Sequence, residues 1–107
     1  MSIDITLLAH RPMPVFEVNI THNLASMADA AGVYACMWRP AQAGVRTAAD
    51  LIVPLEKALV KMTSDPQRFK ALNPKNGWGD FGLLQKVITE LLAACRANPD
   101  ALVRACV

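Results

Sequence analysis

From position 15 to position 21, Val15, Glu17, Asn19 and Thr21 fall on one side of an extended chain and Phe16, Val18 and Ile20 on the other. That period of two predicts a strand with one buried face, and it places Asn19 and Thr21 together on the polar side. Residues 3–8, rich in Ile, Leu and Thr, predict a preceding strand. Pro12 and Pro14 interrupt the pattern between the two, because proline lacks the N–H a ladder needs. His10 and Arg11 in that connection read as exposed.

Beyond Thr21 the period lengthens. Asn23 is a natural cap for a helix starting at Leu24, with Leu24, Met27, Ala28 and Ala31 at helical spacing and Gly32 as its stop. Residues 33–40 suit an extra helical turn as well as a strand, until Arg39-Pro40 ends them. Thr47 and Asp50 resemble a capping box ahead of an amphipathic stripe of Leu51, Ile52, Leu55, Leu59 and Met62. Pro54 falls past the first turn of that helix, where it should kink it or delay its start.

Asp65-Pro66 combines a cap with proline at the first helical position, so residues 67–72 predict a short helix closed by Asn73-Pro74. Asp80 then caps the longest helix, residues 81–97, with Leu84, Val87, Ile88, Leu91, Leu92 and Cys95 facing inward. Asn98-Pro99 ends it, and residues 101–107 can return as a third strand beside the first two. The expected fold class is α+β: a small, mainly antiparallel sheet, two strands from the N-terminal end and one from the C-terminal end, packed against three to four helices.

A length of 107 residues fits a single domain, 1–107. Hydrophobic residues make up 53 % and the mean hydropathy is +0.26; this supplies a core and leaves apolar surface for a homo-oligomer. Apolar runs are broken before the ~18 residues a bilayer span needs, so no membrane partner is expected. The first residues, Met-Ser-Ile-Asp-Ile-Thr, lack a basic leader, which makes the cytoplasm the expected compartment. Net charge is +2 with the basic residues scattered, arguing against nucleic acid. Cys36, Cys95 and Cys106 form an odd set without close pairing, read as buried small residues or free thiols.

Two polar segments stand out from this apolar background. Asn19-Ile20-Thr21-His22-Asn23 joins the second strand to the first helix, where free helix N–H groups and the side chains of Asn19, Thr21 and His22 can receive an anion. Its plainer reading is a cap, Asn23, beside solvated strand residues. Asn73-Pro-Lys-Asn-Gly-Trp-Gly-Asp80 sets Trp78 between Gly77 and Gly79, both free to take positive φ. An indole there either stacks on a planar ligand, with Asn73, Lys75 and Asn76 around it, or folds back to plug the core. Trp38-Arg39 offers a forked cation for a phosphate or carboxylate, or else a core tryptophan beside a surface arginine.

Catalytic patterns are weak. A Cys36–His22 dyad has nothing in the sequence to set its geometry, and no nucleophile elbow, phosphate loop or metal-ligand spacing is present. A non-enzymatic role without metal or cofactor is the leading expectation, with a hydrolase using His22 or Cys36 behind it.

Asn19-Ile-Thr-His-Asn23, the following Met-Ala-Asp-Ala-Ala-Gly-Val-Tyr and Trp-Arg-Pro, and Asn73-Pro-Lys-Asn-Gly-Trp-Gly-Asp80 resemble a group of short uncharacterised proteins of bacteriophages and bacteria. The resemblance spans residues 15–103 and maps an Asn-x-Thr-(His/Tyr)-Asn motif and an Asn-Gly-Trp-Gly turn onto Asn19, Thr21, His22, Asn23 and residues 76–79. It implies that the two polar segments recur together, and so a small-molecule ligand. By analogy with phage proteins that sequester nucleotide-derived signals, that ligand is expected to be nucleotide-like, held by Asn19, Thr21, His22, Asn23, Asn76 and Trp78 in one pocket with Arg39 nearby. The alternative is a structural or protein-interaction module whose Asn and Trp motifs only cap helices and close the core.

Overall fold

The computed structural model describes residues 2–9 and 14–106. His10, Arg11 and Val107 therefore lie outside the described residues. Strands β1 (Ser2–Leu8), β2 (Pro14–Thr21) and β3 (Leu102–Cys106) form an antiparallel sheet in the order β2-β1-β3. β1 is central because it has the densest apolar side: Ile3, Ile5 and Leu7 are completely buried. In register, Ile5 lies between Val18 and Ala105, and Leu7 between Phe16 and Val103. This is the alternating inner face expected of an antiparallel sheet covered on one side.

The opposite face carries polar rows. Asn19, Asp4 and Cys106 share one, and Glu17, Thr6 and Arg104 the next. The sequence reading of β2 holds, with Ile20 buried and Asn19 exposed on opposite sides.

Between β2 and β3 run five α-helices: α1 (Ala25–Ala30), α2 (Tyr34–Trp38), α3 (Ala49–Ser64), α4 (Pro66–Lys70) and α5 (Phe81–Ala97). The chain is α+β, as its pattern predicts. The helix beyond the expected three to four is α2, the segment whose five residues are too few to show a period of their own. It is held by burial of Cys36, Met37 and Trp38, and it stops at Arg39-Pro40.

Long helices α3 and α5 pack on each other, and α5 also packs on β2. Leu51, Leu55, Ala58 and Met62 from α3, and Leu84, Val87, Ile88, Leu91 and Leu92 from α5, join the inner sheet face in one apolar cluster. Pro54 sits inside α3 without ending it. Half of the expected box forms: Asp50 Oδ2 accepts from the N–H groups of Arg46 (3.0 Å) and Thr47 (3.2 Å), while the helix cap falls on Ala48 and the Asp50 N–H donates to the Thr47 carbonyl rather than its hydroxyl. The two bonds to Oδ2 hold its carboxyl below the usual value.

Capping by Asp65 and Asp80 is as read, each accepting from the N–H three residues on, Arg68 and Leu83. Asn23 is a correction. The chain leaves β2 through a single 3₁₀ turn, His22–Leu24, capped by Thr21, whose Oγ1 accepts from the Asn23 N–H at 3.3 Å. Thr21 is still extended (ψ 138°) and so presents its hydroxyl to the turn, while Asn23 lies within it.

Candidate functional site

The turn before α5 docks on the turn that follows β2. Gly79 has φ +102°, and a Cβ built on it would lie 3.0 Å from Thr21 Cγ2 and 3.1 Å from Leu24 Cγ. Glycine suits the position twice: its φ strains any side chain, and a Cβ would press on the Thr21 and Leu24 side chains. At the tip of the loop, Asn76 Nδ2 donates to Asn23 Oδ1 at 3.5 Å. Its base is fixed by the Phe81 N–H donating to Asn73 Oδ1 at 2.8 Å. The two polar segments, more than fifty residues apart, are thus in contact.

Asn76 Oδ1 accepts from the Trp78 N–H at 3.0 Å, and Gly77 takes φ +76°. Together they turn the Trp78 side chain outward, leaving it 69 % exposed. The core-plug reading of Trp78 does not hold: the ring lies on the surface, and Phe81, one turn on, fills the core beside Phe69. An indole this exposed gains little from burial.

Trp78 forms one wall of an open cleft of ≈ 510 Å³ whose other lining residues are Ser2, Asn19, Thr21, Asn23 and Asn76. Five of the seven sequence-derived site residues line it: Asn19, Thr21, Asn23, Asn76 and Trp78. The side-chain ledger shows what is left for a ligand. Asn19 Nδ2 spends both hydrogens on Ser2 Oγ (2.9 Å) and Asp4 Oδ1 (2.7 Å), so its Oδ1 is turned out as an acceptor. Asn23 Nδ2 gives one hydrogen to Thr21 Oγ1 at 3.1 Å and keeps one. The second hydrogen of Asn76 Nδ2 and the hydroxyl hydrogens of Ser2 and Thr21 add donors, and Asn23 Oδ1 and Asn76 Oδ1, each accepting one bond, keep a further lone pair beside the Asn19 acceptor. Among the described residues, no charged side chain lines the cleft.

Comparison with protein-family models, curated proteins and solved structures gives no match. The site is therefore read from its own geometry.

His22 and Arg39 do not line this cleft, which corrects the expectation that His22 shares one pocket with Asn19, Thr21, Asn23, Asn76 and Trp78 and that Arg39 lies near it. His22 is half-buried, and its Nδ1 accepts from Trp38 Nε1 at 2.8 Å. It faces the other tryptophan because α2 brings Trp38 beside the 3₁₀ turn, with Tyr34 stacked on Trp38 at 5.5 Å between centroids. The bond requires an unprotonated Nδ1, and so the neutral Nε2–H tautomer. Arg39, just past α2, lines a separate cleft of ≈ 330 Å³.

The anion reading of the first segment is corrected too. α1 is six residues long behind a 3₁₀ turn, and such a helix end offers little dipole. Cys36 lies on a buried face, where burial pushes its thiol up to about 11, and it donates to the Val33 carbonyl at 3.3 Å. A thiol held protonated at neutral pH is a poor nucleophile. Among the described residues, no group of three or more His, Cys, Asp or Glu is placed to hold a metal ion, and no helix is long and apolar enough to cross a membrane.

Sequence reasoning missed Ser2 and Asp4. Their part depends on the β1–β2 register, which sets Asp4 opposite Asn19 and Ser2 opposite Thr21. Pairing the two predicted strands as a hairpin would have exposed this signal, because polar Asp4 falls opposite the polar side of β2.

Proposed function

We propose that this protein is a non-catalytic binding module whose cleft between Trp78 and the end of β2 takes a small neutral ligand with a flat ring face. The observation that carries the reading is Trp78, held outward and 69 % exposed over a floor of Asn, Thr and Ser side chains with unused hydrogen-bonding capacity. A ring stacked on an indole gains about 1–3 kcal/mol, and amide and hydroxyl groups then orient its edge.

Nucleotide-like ligands fit through their base. With no cation among the described lining residues, the phosphate of such a ligand would sit at the mouth, toward solvent. Sequestering such a molecule, the role suggested by analogy with phage proteins that capture nucleotide-derived signals, needs no catalytic group. Thermal unfolding with adenosine, AMP and ADP-ribose tests the proposal. At ~100 times its dissociation constant a ligand adds about 2.7 kcal/mol, a rise of roughly 10 °C or more for a domain of this size. Equal gains with adenosine and AMP are expected, and absence of a shift with all three contradicts base recognition.

A structural role has one observation in its favour. Asn23, Asn73 and Asn76 each make a bond that fixes a turn or helix start. It leaves the exposure of Trp78 without a cause, which is why the binding reading is preferred.

A further inference from the structure

The sheet has a second place where chain could be added. At the outer edge of β3, the Val103 N–H donates to the Arg46 carbonyl (3.0 Å) and the Ala48 N–H to the Ala101 carbonyl (2.8 Å), pairing Thr47 with Leu102 as one antiparallel bridge. N-terminal to Arg46 the chain turns away, the Val45 N–H being drawn to the Pro40 carbonyl at 2.8 Å. The neighbouring stretch of β3 keeps no partner on that side among the described residues. Alternation along the strand points the N–H and C=O of Ala105 outward, as it does those of Val103.

This unpaired edge opens into the ≈ 330 Å³ cleft that contains Arg39. Its buried walls are Trp38, Pro40 and Val45. Because the Trp38 N–H is already taken by His22, that indole offers the cleft only apolar surface. At the exposed rim stand Arg39 and Arg104, and among the described residues no acidic side chain lines the cleft and neither arginine forms an ion pair.

We propose that this edge binds the free C-terminal end of an extended peptide. The peptide main chain pairs with Ala105 and prolongs the sheet where the Arg46–Thr47 segment leaves off. Its last side chain, aliphatic, enters the cleft over Trp38 and Val45, and its terminal carboxylate is held by Arg39 and Arg104. The three features coincide: an open ladder position, an apolar pocket of about one side chain's reach, and two guanidinium groups, without an ion-pair partner among the described residues, suited to a carboxylate fork. Either alone, the edge or the arginines, would be ordinary surface.

The test is fluorescence anisotropy with the full chain and a fluorescein-labelled hexapeptide ending in Thr-Val with a free carboxylate, set against the same peptide as its C-terminal amide. The carboxylate form is expected to bind at least about tenfold more tightly. Arg39→Gln and Arg104→Gln should each remove most of that preference, and Ala105→Pro, which deletes the outward N–H, should weaken both peptides. Since proline in β3 can unsettle the sheet, the two exposed arginines carry the decision. Equal affinity for the two peptides, no binding of either, or a preference unchanged in both arginine variants would overturn the proposal.

Discussion

Gly79 is the residue on which the cleft turns. It holds the loop against Thr21 and Leu24 with contacts a Cβ would violate, at a φ of +102°. Gly79→Ala is expected to destabilise the protein by about 1–3 kcal/mol, combining backbone strain with local overpacking. Urea unfolding measures it, and a variant as stable as the parent would mean that the loop does not dock as described. His22 works elsewhere: it gives the buried Trp38 N–H its acceptor at 2.8 Å. His22→Ala leaves that donor unpaired at a cost of about 1–3 kcal/mol, while His22→Gln, which can offer an oxygen, should restore part of the loss. If Ala and Gln variants unfold at the same urea concentration, the hydrogen bond has no measurable weight.

At the level of elements, caps and periods were readable directly. α5 runs from Phe81 to Ala97 as its stripe and the Asp80 cap predict, because a long amphipathic helix carries enough repeats to define both face and ends. Asp80→Ala should cost about 1 kcal/mol by freeing the Leu83 N–H, measured as a lowered midpoint of unfolding; an unchanged midpoint would remove Asp80 as a cap. Short elements were less readable. α2 has too few residues for a period, and Asn23 and Thr21 are both good caps, so only the extended backbone of Thr21 decides between them. The placement of His22 and Arg39 followed from α2, and was hidden for the same reason. Thr21, Asn19 and Trp78 could be named as polar and loop positions, but their meeting depends on Gly79 packing against a residue nearly sixty positions earlier, which no local pattern encodes.

Across the whole molecule, sheet and helices share one apolar cluster, and two of its cysteines report on it. Burial pushes both the Cys36 and Cys95 thiols up to about 11, with Cys95 raised further by its neighbour Cys36. A raised thiol pKa favours the folded state least at high pH. Below the ordinary value of 9.0 both states hold the proton and the contribution is complete; between about 9 and 11 the unfolded chain releases protons that the native one keeps. Stability should therefore fall through that window, and fall less in a Cys36→Ala/Cys95→Ala variant, with urea unfolding at pH 8 and pH 10.5 as the measurement. Equal pH slopes in the two proteins would contradict burial of the pair. The exposed Cys106 is expected to be the one described thiol that reacts rapidly at pH 8.

The same whole-molecule view assigns the two tryptophans opposite tasks, Trp38 inside with its N–H bonded and Trp78 outside over a polar cleft. Their indole N–H signals are separable by nuclear magnetic resonance, with Trp78→Phe to assign them. Titration with adenosine is the most direct test of the binding reading. The account predicts a saturable shift of the Trp78 signal, with the signal of Trp38 unmoved. A Trp78 resonance that stays in place up to millimolar adenosine, or a shift confined to Trp38, would contradict it.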